Sequence, residues 1–312
     1  MKIELYDPLY IYEIGQRGNQ EDAIYPFEGK VSKENRLFIL CDGMGGHEHG
    51  EVASQTVTQA ISLWFNEHID ASTPLTDDQL REAIEYAYQQ LDKYADGSPK
   101  QMGTTLTLMY IGNNGITAAH MGDSRIYHIR PRVGVLYQSR DHSLVFDLFQ
   151  SGEITYEEMK SFKQKNIVTR AMTPGEENRM RPDIIHITEV QPGDYFYLCS
   201  DGMLEQMSNN ELVGILSSNG SDAEKQSFLI KATSGNQDNH TAWLIQVKDV
   251  IKEDGDETYK NEESTARCNA INILPKEEVE TDDVVIVKEA PKKKSILQKI
   301  KQFIISILKN VE

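Results

Sequence analysis

The chain is 312 residues long and 39% hydrophobic, with 32 Lys and Arg against 49 Asp and Glu and a formal net charge of −17. It has enough apolar residues for one large or two ordinary domains with real cores, while the acidity excludes a protein that grips nucleic-acid phosphates. Three cysteines without framework spacing exclude a disulfide-stapled scaffold, and the mixed opening Met1–Pro8 is not a signal peptide, so a cytoplasmic catalytic part is expected.

In chain order, residues 36–41 read as a strand buried on both faces that breaks off into Asp42-Gly43-Met44. A helix is predicted from His47 to about His68, with Val52, Ala53, Val57, Ala60, Ile61, Trp64 and Phe65 on one face. A second opens at Thr76, with Gln79 completing a capping box, and runs to about Tyr94 with Leu80, Ile84, Ala87, Tyr88 and Leu91 as its apolar stripe. Strands follow at 104–110, 115–120, 124–130 and 133–138. The turn residues at Asn113-Asn114-Gly115 and Pro131-Arg132-Val133-Gly134 suit hairpins and so an antiparallel run. Between Asp141 and Ala171 the pattern changes to short helical pieces around a Ser151-Gly152 break, the form of an inserted lid or substrate-recognition segment. A second buried run, Tyr195–Cys199, ends in Ser200-Asp201-Gly202. Capping boxes at Ser208/Glu211 and Ser221/Glu224 open two more helices, and Asp238-Asn239 precedes an apolar strand at Thr241–Ile245. Strands in hairpin series with separate helix pairs predict a layered α+β architecture.

The chemistry lies where buried strands stop. Asp42 and Asp201 each end an apolar run, and the glycine behind each removes Cβ bulk, so that a backbone carbonyl or water can also approach a hard cation. Glu21-Asp22, Asp123 and Asp238 stand in similar punctuation. Oxygen donors without Cys/His spacing point to Mg²⁺ or Mn²⁺ rather than zinc. Cys41 and Cys199 alternate away from these acids and read as packing residues. His120, His142 and His240 lack ligand spacing and read as structural or solvent-facing.

Arg17-x-x-x-Glu21-Asp22, Asp42-Gly43-Met44-Gly45-Gly46-His47, Gly103-Thr104-Thr105, Gly122-Asp123-Ser124-Arg125, Ser200-Asp201-Gly202 and Asp238-Asn239 come in the order seen in bacterial protein phosphatases of the PP2C (PPM) type, which this chain resembles from about Ile11 to Val247. The resemblance implies a four-layer α/β/β/α sandwich of two central antiparallel sheets between helices, with the 141–171 insertion as its flap. It also implies metal-dependent hydrolysis of phosphoserine and phosphothreonine in phosphoproteins, at a centre of two or three Mn²⁺ or Mg²⁺ ions, by a monomeric catalytic domain opposing a Ser/Thr kinase. By the same resemblance Asp22, Asp42, Asp201, Asp238 and the Gly43 carbonyl are metal ligands, Glu21 acts through water, and Asp123 joins Asp201 at a third site. Arg17 offers a planar fork to phosphate oxygens. His47 is a candidate general acid, weighed against a capping role at a helix start. Met44 stands where eukaryotic members place their proposed acid. The alternative from another class is a non-catalytic phosphoprotein-binding scaffold on the same fold.

Past Val247 the composition shifts. Residues 248–290 hold 6 Lys and Arg against 13 Asp and Glu, the makeup of an acidic disordered linker. Residues 291–312 then place Ile296, Leu297, Ile300, Phe303, Ile304, Ile307 and Leu308 at helical spacing behind Lys292-Lys293-Lys294. This basic amphipathic helix is too short in apolar length to span a bilayer, and is expected to lie on an anionic inner-membrane surface, to dock on a protein partner or to fold back onto the acidic catalytic domain.

Overall fold

The computed structural model describes residues 1–45, 49–95, 102–160, 162, 167–176 and 178–251. The His47 candidate, most of the acidic linker and the basic segment at 291–312 lie outside the described residues. The elements in order are β1 (Lys2–Leu5), β2 (Leu9–Glu13), β3 (Asp22–Tyr25), β4 (Leu37–Met44), α1 (Gly50–His68), α2 (Asp77–Leu91), β5 (Gly103–Thr104), β6 (Leu106–Gly112), β7 (Gly115–Met121), β8 (Arg125–Arg130) and β9 (Gly134–Gln138). After them come α3 (Leu144–Gln150), α4 (Tyr156–Lys160), β10 (Asp183–Ile187), β11 (Tyr195–Cys199), α5 (Asn209–Leu216), α6 (Asp222–Thr233) and β12 (His240–Ile251).

Two antiparallel sheets form. One runs β1-β12-β11-β8-β9, with β2 also on the long β12; the other runs β10-β7-β6-β4-β3, with β5 on β4. Strand alternation sorts the side chains into three cores. Phe38 and Leu40 of β4, Phe196 and Leu198 of β11, and Trp243 and Ile245 of β12 meet between the sheets. The Trp243 indole donates to the Ile39 carbonyl of the opposite sheet at 3.0 Å. The other faces point outward: Leu37, Ile39 and Cys41 pack against α1 and α2, while Tyr195, Tyr197 and Cys199 pack with Leu212 of α5 and Leu229 of α6. Helix, sheet, sheet, helix is therefore the layer order, and both described cysteines are buried packing residues as expected.

The predicted apolar stripes of α1 and α2 line the first outer core. The three predicted capping boxes are present, each hydroxyl accepting from the third backbone N–H while the Gln or Glu reaches back. Both predicted hairpins pair, β6 with β7 and β8 with β9. Between them the chain crosses sheets: β7 and β8 belong to different layers, and Gly122-Asp123-Ser124 is the crossing. The short strands β1, β2, β3 and β10 carry too few residues for a periodic signal and go unpredicted. β4 also runs past the expected end at residue 41, because Gly43 and Met44 pair with Thr104 and Gly103 of β5. Residues 248–251, expected to open the disordered linker, instead extend β12, because Asp249, Val250 and Ile251 pair with Glu4, Ile3 and Lys2 of β1.

The described residues fall into two compact units, 1–142 with 168–251, and the described part of 143–167. The smaller unit holds α3 and α4 around Leu144, Val145, Leu148, Ile154 and Phe162. Asp141 and His142 belong with the sandwich. Among the described residues no helix is long and apolar enough to cross a membrane.

Candidate metal centre

The carboxylates gather at one end of the sandwich because pairing puts them there. In the β3/β4 register Asp22 lies directly across from Asp42, and both share the parity of Ile24, Phe38 and Leu40, so they point into the gap between the sheets. From the other sheet, β11 stops at Cys199, and Asp201 opens the single-turn 3₁₀ segment Asp201–Leu204. Cys199 pairs with Ala242 of β12, which brings Asp238 and Asn239 alongside. Asp123 arrives on the crossing between β7 and β8.

Backbone clamps hold these acids. The Asp42 carbonyl accepts the Thr105 N–H and the Thr104 hydroxyl, both at 2.9 Å, while its own N–H donates to the Thr105 hydroxyl oxygen at 2.9 Å. Asn239 ties three segments together: its Oδ1 accepts the Glu21 N–H at 2.8 Å and its Nδ2 donates to the carbonyls of Ile14 and Asn19 at 2.9 Å. The Glu205 carboxylate accepts the N–H groups of Gln237 and Asp238 at 2.8 and 3.0 Å and so sets the loop that carries Asp238. Gly43 donates its N–H to the Glu21 carbonyl at 3.1 Å. A Cβ there would run into the Gly50 and Glu21 carbonyls, so the glycine is needed for close approach. Thr104, Thr105 and Asn239 stand inside the quoted motifs; Glu205 is missed, since nothing in its local sequence marks it as a loop anchor.

Electrostatically the cluster is under-compensated. Asp22 is 1% exposed; its Oδ2 accepts the Ser200 hydroxyl at 3.0 Å, and its Oδ1 is buried with no hydrogen-bond partner. Burial, then the charges of Asp201 and Asp238, push its carboxyl up to about 7 against the relief of the Ser200 hydroxyl. Burial with Asp22 and Asp201 holds Asp42 well above the usual range. Burial, then Asp201 and Asp141, lifts Asp123 to about 7, and burial with Asp238 lifts Asp201 to about 6. Glu21 is raised by burial as well. Arg17 lies exposed at the rim and binds Asp238 Oδ2 at 2.6 Å. Carboxylates crowded against their own charge, with one oxygen orphaned, are a donor set that fits hard divalent cations. The structure thus brings together every described candidate: Arg17, Glu21, Asp22, Asp42, Gly43, Asp123, Asp201 and Asp238.

His120, His142 and His240 are all buried, so the solvent-facing option is corrected. Cross-strand pairing and ring stacking place His120 and His142 beside Asp183, a cluster with no signal in residue spacing.

Known proteins share the sequence pattern and the fold. The family model described as protein phosphatase 2C matches residues 14–245. A putative protein phosphatase 2C-type of Streptococcus pyogenes is 37% identical over 238 residues, which covers 75% of this chain and 94% of that one. The crystal structure of the Mycobacterium tuberculosis serine/threonine phosphatase PstP/Ppp superposes with a TM-score of 0.67 at 30% identity, covering 78% of this chain and 99% of that one. The catalytic domain of PstP in complex with 2 manganese ions gives 0.64 at 31% identity over the same shares.

The raised carboxyls set a pH dependence. A group protonated more readily when folded than when unfolded weakens the fold as pH rises from its unfolded value, near 4, through its folded one, about 7 for Asp22. Asp22→Asn should therefore melt close to wild type near pH 4 in EDTA and several degrees higher at pH 7–8, at roughly 2–4 °C per kcal/mol. Saturating Mn²⁺ should reverse the order. A gap in EDTA that does not widen with pH would show that Asp22 is compensated.

Proposed function

The chain belongs to the protein phosphatase 2C family, and we propose that it hydrolyses phosphoserine and phosphothreonine in phosphoproteins at a Mn²⁺ or Mg²⁺ centre built on the buried carboxylates. The observation that carries this reading is the orphaned Asp22 Oδ1, set opposite Asp42 in a cluster whose members push one another toward the protonated form. A non-catalytic scaffold has no use for that arrangement, because each buried, unpaired carboxylate weakens the fold.

In this reading Asp22, Asp42, Asp201, Asp238 and the Gly43 carbonyl hold two ions, Glu21 acts through water, and Asp123 with Asp201 holds a third. When bound, such cations supply a hydroxide-like water and screening of the phosphoryl charge. The chain itself orients and excludes. Asn239, Thr105 and Glu205 fix the backbone on which the carboxylates ride, so the donors are positioned before a substrate arrives. Arg17, whose guanidinium is exposed beside Asp238, in this reading turns its second edge to two phosphate oxygens. Phosphate recognition by this one fork suits a flexible phosphopeptide better than a polyanion, which the acidic surface repels. Opposition to a Ser/Thr kinase follows as the reaction that supplies the substrate.

We assign residues 1–251 to the catalytic domain, since β12 pairs with β1 as far as Ile251, and on sequence grounds 252–290 to a tether and 291–312 to an amphipathic anchor. Apolar burial and about 1 kcal/mol per basic residue near an anionic surface together make the anchor a membrane signal. Full-length protein should co-sediment with anionic vesicles at low salt and far less at high salt, and a chain ending at Ile251, which keeps the whole of β12, should not. Equal recovery of both would exclude the membrane surface and leave a protein partner.

The decisive assay is turnover of a phosphothreonine peptide with Mn²⁺ and then with EDTA. Asp201→Asn should lower Mn²⁺-dependent turnover by more than about 100-fold, the upper end of what loss of an outer-shell partner costs, while circular dichroism stays unchanged. Near-wild-type turnover in that variant would sink the assignment.

A further inference from the structure

The buried histidine pair lies one residue away from the crossing that carries Asp123. β7 and β10 pair so that His120 lies across from Asp183, and His142 stacks on His120 with ring centroids 4.3 Å apart. Both imidazoles are 2% exposed. Donor atoms of His120, His142 and Asp183 lie within 4.8 Å of one another, close enough to suggest a cation site.

Hydrogen-bond sense argues otherwise. The Gly122 N–H donates to His142 Nδ1 at 3.2 Å, so Nδ1 presents a lone pair and the proton of the neutral ring sits on Nε2. That Nε2–H is aimed at Asp183 Oδ2 at 3.2 Å. The Arg170 guanidinium donates to Asp183 Oδ1 at 3.3 Å and stands 3.4 Å from the same ring nitrogen. A protonated nitrogen beside a guanidinium is not a metal ligand. The cluster is a relay from the half-exposed Asp183–Arg170 pair, through His142, to a backbone amide.

The next peptide unit, between Gly122 and Asp123, is held too. His120 Nε2 donates to the Gly122 carbonyl at 3.1 Å, and the same carbonyl accepts the His142 backbone N–H at 2.8 Å. Burial pushes His120 down to about 4, so its ring stays neutral at ordinary pH. Gly122 has φ 111°, with the Thr105 side chain against its α-carbon where a Cβ would sit. Two histidines thus lock both polar groups of a left-handed residue, and the next residue is Asp123.

We propose that His142, oriented by Asp183 and Arg170 and stacked on His120, is a positioning residue for Asp123: it holds the Gly122 peptide in the conformation that presents the Asp123 carboxylate to the third cation position shared with Asp201. This inference rests on the metal-centre reading above. It adds a cause, outside the acidic cluster, for the strength of one cation site among several.

The test is Mn²⁺ titration of full-length protein by calorimetry, with kcat and KM for p-nitrophenyl phosphate followed against Mn²⁺ concentration. His142→Ala should leave the tight central pair unchanged, raise the Mn²⁺ midpoint of the weaker site by about tenfold, as loss of an outer-shell partner does, and lower kcat with KM held. His142→Asn, whose amide oxygen can accept the Gly122 N–H, should recover part of both. Asp183→Ala, a change on a half-exposed edge strand, should shift the same midpoint in a protein that melts like wild type, and it stands in if His142→Ala does not fold. An unchanged weak-site midpoint in a folded variant would overturn the proposal. So would tight binding of one Zn²⁺ that His142→Asn and Asp183→Ala both lose, since the cluster would then be a cation site. Wild-type protein that binds no Mn²⁺ would instead sink the metal-centre reading and this inference with it.

Discussion

The mutual repulsion of carboxylates buried at one end of the sandwich is the constraint around which the remaining structure is arranged. Asp22, Asp42, Asp123 and Asp201 are each driven toward the protonated form by burial and by one another. Left to relax, such groups would turn to water or spread apart. They stay because each rides on backbone fixed from elsewhere, and this places the stabilising interactions of the site in amide and hydroxyl groups rather than in the acids themselves. Asn239 is the clearest case, a buried side chain whose three hydrogen bonds join the segments bearing Arg17, Glu21 and Asp238.

The apolar core supplies the rigidity that makes those clamps effective. Close packing between the sheets, with Trp243 against Phe38 and hydrogen-bonded to Ile39, fixes the separation of β4 and β12. Past Leu40 and Leu198 the interlayer side chains turn from apolar to polar, and the gap that was core becomes site. The same strands thus serve stability along most of their length and chemistry at their ends. Local stability is low where the carboxylates crowd together, and the surrounding packing bears that cost.

Much of this was legible in the chain. The outer-layer helices declared themselves through apolar stripes and capping boxes, since a helix is specified by residues within four positions of one another. The opposite parity of Cys41 and Asp42 was readable from alternation alone, whereas Cys199 and Asp201 share parity and are parted only because β11 stops at Cys199 and Asp201 opens a 3₁₀ turn. The strands β1, β2, β3 and β10 were not readable, because four or five residues are too few for period-two alternation to rise above chance where neither a continuous buried run, as in β11, nor a hairpin turn, as before β9, marks the strand. Without β3 the partner of Asp42 was hidden. Without β10 nothing linked Asp183 to His120, and His142, twenty-two residues further along from that histidine, gave no spacing that a metal or relay motif would show.

The sequence by itself determined the oxygen-only donor set, its placement at strand ends, the glycines that let backbone approach, and the order of motifs that marks the family. Tertiary structure alone decided which carboxylates face each other, which oxygen is left without a partner, and which histidines hold the Gly122 peptide. The division has a physical reason. Local pattern tells which face of an element a side chain occupies, but register and sheet crossing are set by contacts between residues far apart in the chain. The burial that shifts a carboxyl or fixes an imidazole's proton exists only once those distant elements have packed.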